Sequence, residues 1–255
     1  MERLGVARQG RIVLVTGLPA GLGASTVALA LADALAGMGR GVMLVGRLSS
    51  LGEVAPDARP ARQLGPALVL PQSVGPDLVP LDLCDEALLP QALSLLAREA
   101  DFVLVDRFTG LSVKDSPWFR AAGEVLLLVD GRPGMDTRSL LLAGHVLRHW
   151  PDKALQVLHN RMDGPFNWQT MSARFQRRVL RHHGVLPLDL GCLPQAPEIA
   201  RATREGKAFS RMYANHPGAR QIRQVARQLM RLDLSDDAPA RRQENAPMPA
   251  TWIQP

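Results

Sequence analysis

The sequence predicts an α/β fold, a doubly wound and mostly parallel sheet flanked by helices. Three observations predict it. Short apolar, β-branched runs of strand length recur along the chain. Segments of helical period separate them, which is the pattern of βαβ units. The composition, 46% hydrophobic and 21% charged in 255 residues, is that of a globular chain. This length supports one large domain with a sizeable core. Aromatics are only 4%, so Leu, Val and Ala must fill it.

Each element has its own reason. Arg11–Gly17, "RIVLVTG", is a short apolar run ending at glycine and reads as a buried strand. "ASTVALALADALAGMG" is rich in the strong helix formers Ala and Leu and is closed by Gly37 and Gly39. Gly41–Gly46, "GVMLVG", is a second buried strand, completing one βαβ unit. Residues 47–66 read as loop, and "PALVLP" and "DLVPLDL" as short strands or edge pieces. Asp85–Ala100 has helical period, with Pro90 near its start. Asp101–Asp106 and Gly123–Asp130 are buried strands that each end in aspartate. "MDTRSLLLAGHVLRHW" is an amphipathic helix, Ala154–Asn160 a strand, and "NWQTMSARFQRRVLRHHG" a helix ending at Gly184. "VLPLDLGCLP" is the last strand region, followed by the helices "APEIARATREG" and "PGARQIRQVARQLMRL". Residues 1–232 thus form a single domain. From Asp233 the chain turns polar and Pro-rich, the composition of a disordered tail.

Several classes are disfavoured. No apolar run reaches the roughly 18 residues that span a bilayer. The N-terminus runs straight into a strand without a signal-peptide cleavage pattern. Cys84 and Cys192 lie far apart without metal-type spacing and are expected to be free thiols in a reducing cytosol. Charge is uneven. Residues 1–150 hold 14 Lys/Arg and 15 Asp/Glu, whereas residues 161–231 hold 13 basic and 4 acidic. Such a segment suits an acidic partner, a nucleic acid or an anionic membrane surface, or is simply a solvated arginine-rich face.

In a doubly wound fold, ligands bind at the carboxyl ends of the strands. Residues 17–25, 46–50, 106–112, 130–136 and 160–163 are therefore the places to seek chemistry. The first, "GLPAGLGAST", is a glycine-rich strand-to-helix turn of the kind that cradles phosphates. Gly17, Gly21 and Gly23 supply the turn, and Ser25 and Thr26 the hydroxyls at the helix start. Ala24 stands where such a loop carries its lysine.

The stretch resembles the deviant phosphate loop of the MinD/ParA family, Gly-Lys-Gly-Gly-Val-Gly-Lys-Thr followed by an Ala-rich helix. Pro19 takes the place of the family's signature lysine and Ala24 that of the second lysine. The family's Asp-x-Asp after the second strand reads Gly46-Arg47-Leu48. Its Asp-Thr-x-x-Gly survives as Asp106 and Gly110, and its base-reading asparagine as Asn160. Downstream, Gly191, Pro194 and Pro217 are similar in layout to the FlhG branch, the regulators of flagellar number and placement.

The resemblance implies a P-loop NTPase fold and a nucleotide site formed by Gly21, Gly23, Ala24, Ser25, Thr26, Asp106 and Asn160. It places a magnesium ion at Ser25 and Asp106 only when nucleotide binds. Three plainer readings stay open: Asp106 as a helix cap, Asn160 as a turn residue, and Gly21 and Gly23 kept for the turn alone. With both lysines and both aspartates gone, little electrostatic stabilisation remains for phosphoryl transfer. ATP turnover is expected to be absent or negligible, and ATP/Mg2+ binding weak or lost.

The implied role is that of a regulatory pseudo-ATPase acting by contact. Its implied partners are a flagellar GTPase of the FlhF type, a transcriptional activator or a polar landmark. The alternatives are a related protein of pilus (CpaE/TadZ-like) or cellulose secretion, or a ParA-like protein that binds DNA non-specifically through Arg174, Arg177, Arg178, Arg181, Arg220, Arg223 and Arg227. The expected setting is cytoplasmic, peripheral to the membrane or cell pole, as a monomer or homodimer.

Overall fold

The computed structural model describes residues 9–46, 62–64, 67–69, 76–80, 86–107, 110, 113–132, 134, 136–162, 168–205 and 209–232. Arg47, Leu48, Cys84 and the expected tail from Asp233 lie outside the described residues. The main sheet has seven strands: β1 (Arg11–Gly17), β2 (Val42–Gly46), β5 (Asp77–Pro80), β6 (Phe102–Asp106), β7 (Glu124–Asp130), β8 (Ala154–Met162) and β9 (Leu188–Pro194). Their order is β5-β2-β6-β1-β7-β8-β9 and every pairing is parallel. The doubly wound class expected from the sequence is the one observed.

β3 (Arg62–Leu64) and β4 (Ala67–Val69) form a separate antiparallel pair. The sequence reading had residues 47–66 as loop, so β3 corrects it. A three-residue strand containing Arg and Gln carries no apolar alternation to announce it.

Both faces of a parallel sheet must be covered, and side chains alternate between them. Ile12 and Leu14 of β1 point into one core, Val13 and Val15 into the other. The first core is closed by α2 (Leu89–Glu99), α3 (Pro117–Ala121), α4 (Thr137–His149) and α5 (Trp168–His183). The second is closed by α1 (Ala24–Ala36) and α8 (Pro217–Leu232). Between β9 and α8 come α6 (Pro197–Arg204) and the short α7 (Phe209–Met212).

α1 is nearly all Ala and Leu because it sits between sheet and α8, with Ala28, Ala30, Leu31, Ala32 and Leu35 all buried. The apolar stripe of α8 (Ile222, Val225, Leu229) is buried in the same core. The last helix is thus packed on the sheet. Pro90 sits in the first turn of α2, where its missing N–H costs nothing.

The arginine-rich segment is not one face. α5, with Arg174, Arg177, Arg178 and Arg181, covers one side of the sheet, and α8, with Arg220, Arg223 and Arg227, the other. Arg178 is paired with Asp136, and Arg220 and Arg223 donate to the carbonyls of Asn215 and Ala214. No described helix is long and apolar enough to cross a membrane. Cys192 is a free thiol whose pKa is raised by burial and by the Asp189 charge.

Candidate functional site

The order of the sheet fixes where the site lies. β1 is central, with β6 on one side and β7 on the other; the chain leaves β1 toward β2, on the β6 side, and leaves β7 toward β8, so the two connections diverge. This is the switch point at which the carboxyl edge opens into a crevice. The register sets Val15 beside Asp106, Gly17 beside Leu128, and Asp130 beside Asn160. The ends of β1, β6, β7 and β8 therefore gather at one edge.

The loop after β1 turns through two left-handed glycines, Gly21 (φ 80°) and Gly23 (φ 97°). A Cβ on Gly21 would meet open space, so only the backbone angle requires glycine there. At Gly23 both reasons apply, because a Cβ would lie 2.8 Å from the Asn160 amide nitrogen. Gly23 is also the N-cap of α1, and no side chain caps that end. The Leu18–Pro19 peptide is cis.

A cavity of about 450 Å³ opens on the loop, lined by Gly17, Pro19 to Thr26, Asp106 and Arg107. A second, of about 420 Å³, adjoins it at Gly23 and Thr26. Its polar wall is Asn160, Arg161, Arg132 and Gln195, and its apolar wall includes Val27, Leu193, Ile199 and Phe209. All seven candidate site residues border these two spaces: Gly21, Gly23, Ala24, Ser25, Thr26 and Asp106 the first, Asn160 the second.

Asp106 is buried, and burial pushes its carboxyl up from the ordinary range while a hydrogen bond from Ser25 pulls it partly back. That hydrogen bond joins the two residues expected at a cation. Among the described residues no group of three or more His, Cys, Asp or Glu gathers as a metal centre. A cation here would share its coordination with phosphate oxygens, as magnesium commonly does. Asn160 is buried and donates its amide N–H to the Leu22 carbonyl at 2.7 Å. It is a strut for the loop as well as a wall of the second cavity.

Four charged residues at this edge were not singled out from sequence. Arg107 follows Asp106, lines the first cavity and lies 5.4 Å over the Trp118 ring. Asp130 is fully buried and takes a forked hydrogen bond from Arg132. Burial alone would raise the Asp130 carboxyl. The Arg132 hydrogen bonds and charge, with the Arg161 charge, hold it below its usual range. Arg161 has a left-handed backbone (φ 60°) and donates from its guanidinium to the Gly21 carbonyl. His159, its neighbour but one, is buried with neither ring nitrogen hydrogen-bonded among the described residues, and burial lowers its pKa.

A parallel seven-stranded sheet with a glycine loop at the carboxyl end of its central strand is the fold of solved MinD proteins. MinD of Pyrococcus horikoshii complexed with Mg-ADP superposes with a TM-score of 0.69 at 22% identity, covering 88% of this chain and 97% of that one. MinD in the MinC:MinD complex of Aquifex aeolicus gives 0.67 at 18%, covering 87% and 96%. Among characterised sequences the chain is similar to the antiactivator FleN of Pseudomonas aeruginosa, 25% identical over 250 residues, 90% of this chain and 89% of that protein. No protein-family model matches the chain.

Proposed function

We propose that this chain is a FlhG-like regulator that binds nucleotide without turning it over and acts through contacts with protein partners. Its role in this reading is to set the number, placement or assembly of a cell-envelope machine, with flagella the foremost candidate. One observation carries the reading. The loop keeps the shape of a phosphate cradle, with left-handed Gly21 and Gly23 and an uncapped helix start, while Pro19 and Ala24 line it where lysines would stand. The similarity to an antiactivator and the fold shared with a MinD solved together with MinC support action on proteins.

The residues present fit a nucleotide. The backbone of Gly21 to Thr26 would hold the phosphates at the helix N-terminus, Ser25 and Asp106 the magnesium ion, and Asn160 with the second cavity the base. When bound, the Mg-nucleotide would bring phosphate charge to a loop that has no charged side chain of its own. Ser25 and Asp106 lie against each other at the start of α1, so their hydrogen bond must yield to a cation. What the loop does not supply is the lysine charge on the β- and γ-phosphates, whose loss costs about 10²–10³ in rate by analogy with removal of one positioned donor.

Calorimetry of ATP with Mg2+ tests the reading, beside Asp106→Ala and Asn160→Ala and with phosphate release followed in parallel. Binding that weakens in both variants, with no phosphate released, is the expected result. No heat at millimolar ATP would reduce the loop to a fold remnant. Magnesium-dependent release lost in Asp106→Ala would make the protein an ATPase. The machine served is read by counting and locating flagella and pili in a deletion strain.

A further inference from the structure

We propose that Arg161, at the end of β8, with Arg107 at the end of β6, supplies the positive charge for a phosphate chain that the loop itself lacks. The inference rests on the nucleotide reading of the site above. A phosphate chain held only by backbone N–H groups has dipoles but no countercharge nearby. Among the described residues three guanidinium groups border the two adjoining cavities: Arg107 on the loop side, Arg132 and Arg161 on the other.

They are not equivalent. Arg132 is committed, since its fork closes on the fully buried Asp130. Withdrawing it would leave a buried carboxylate without its hydrogen-bonded partner, with only the more distant Arg161 charge nearby. Arg161 instead donates to Gly21, a neutral carbonyl within the loop. A phosphate oxygen is the stronger acceptor, because charge-assisted hydrogen bonds are roughly twice as strong as neutral ones. Exchange of one acceptor for the other moves a cation from the loop backbone to its contents without moving the strand. Arg161 holds this place by adopting a φ of 60°, which a residue with a long side chain rarely takes. Arg107 borders the loop cavity directly, and its guanidinium lies over Trp118, which orients it. The two cations thus come from strand ends on either side of β1.

The test is calorimetric binding of ATP, pyrophosphate and adenosine, each with Mg2+, to the full-length chain. The variants are Arg161→Asn, Arg161→Lys and Arg107→Gln. Asn tolerates the left-handed backbone. Should that variant not fold, Arg161→Gly, which carries no Cβ penalty there, is read in the same way. Expected is a loss of about 10–100-fold for ATP and pyrophosphate in Arg161→Asn, the size of one charged hydrogen bond. Adenosine binding stays unchanged, Arg161→Lys recovers part of the loss, and Arg107→Gln loses less than Arg161→Asn. Unchanged ATP binding in Arg161→Asn overturns this inference and leaves the nucleotide reading intact. Equal losses for adenosine and ATP make Arg161 a structural support and also overturn it. If the wild-type chain binds none of the three, the nucleotide reading falls and this inference with it.

Discussion

Asp130 has no exposed surface, yet it is held ionised. Its folded pKa lies below the ordinary 3.8 because the Arg132 and Arg161 contributions outweigh burial. Such a group adds stability above its unfolded pKa and loses it as pH falls through the folded value. Arg132→Ala should therefore lower the melting temperature clearly at pH 7 and by progressively less as the pH falls below 3.8, which thermal unfolding across that range will show. Asp106 has the opposite sign. Burial raises its pKa above 3.8, so its contribution is fully present below that value and is lost as pH rises through the raised one. Asp106→Asn should melt higher than wild type at pH 7 and alike below pH 3.8, while binding Mg-ATP less well. At this scale sequence was a partial guide. The loop glycines, Ser25, Asp106 and Asn160 stand out in the sequence because their types and order follow a motif pattern. Arg107, Arg132 and Arg161 lie on the same strand ends, but no pattern of residue types marks an arginine there. The sign that marks Arg161 is a backbone angle, which residue identity does not reveal.

The elements were legible where burial imposes a period. The inner strands β1, β2, β6 and β7 stand out as apolar runs, since a strand covered on both faces needs apolar side chains at successive positions. α8 was legible as an amphipathic stripe, but whether that stripe faces the sheet or a membrane was not. The structure answers it: Ile222 is 2% exposed and Leu229 fully buried. Ile222→Ala should cost about 2–5 kcal/mol in denaturant unfolding. A value within a few tenths would mean that α8 is loosely attached. The elements that escaped notice are short. β3 has three residues and α3 five, too few for either period to repeat.

At the scale of the molecule, the net charge of residues 161–231 was readable, but its distribution was not. α5 and α8 divide it between opposite sides of the sheet. With Pro19 where the resembled phosphate loop carries its signature lysine, light scattering should give the same mass with and without Mg-ATP. A shift from monomer to dimer on adding nucleotide would contradict this. The strand order carries a last consequence, for synthesis. β1 finds its two partners at Phe102–Asp106 and Glu124–Asp130, and none before them. During synthesis the apolar run Ile12 to Val15 must wait for about ninety further residues before either edge is satisfied. Non-local parallel pairing of this kind is slow, and unpaired apolar strands are prone to aggregate in the interval. The central strand that organises the finished site is thus a liability of the nascent chain, and α1 is the next described element, able to shield its Val13 and Val15 face.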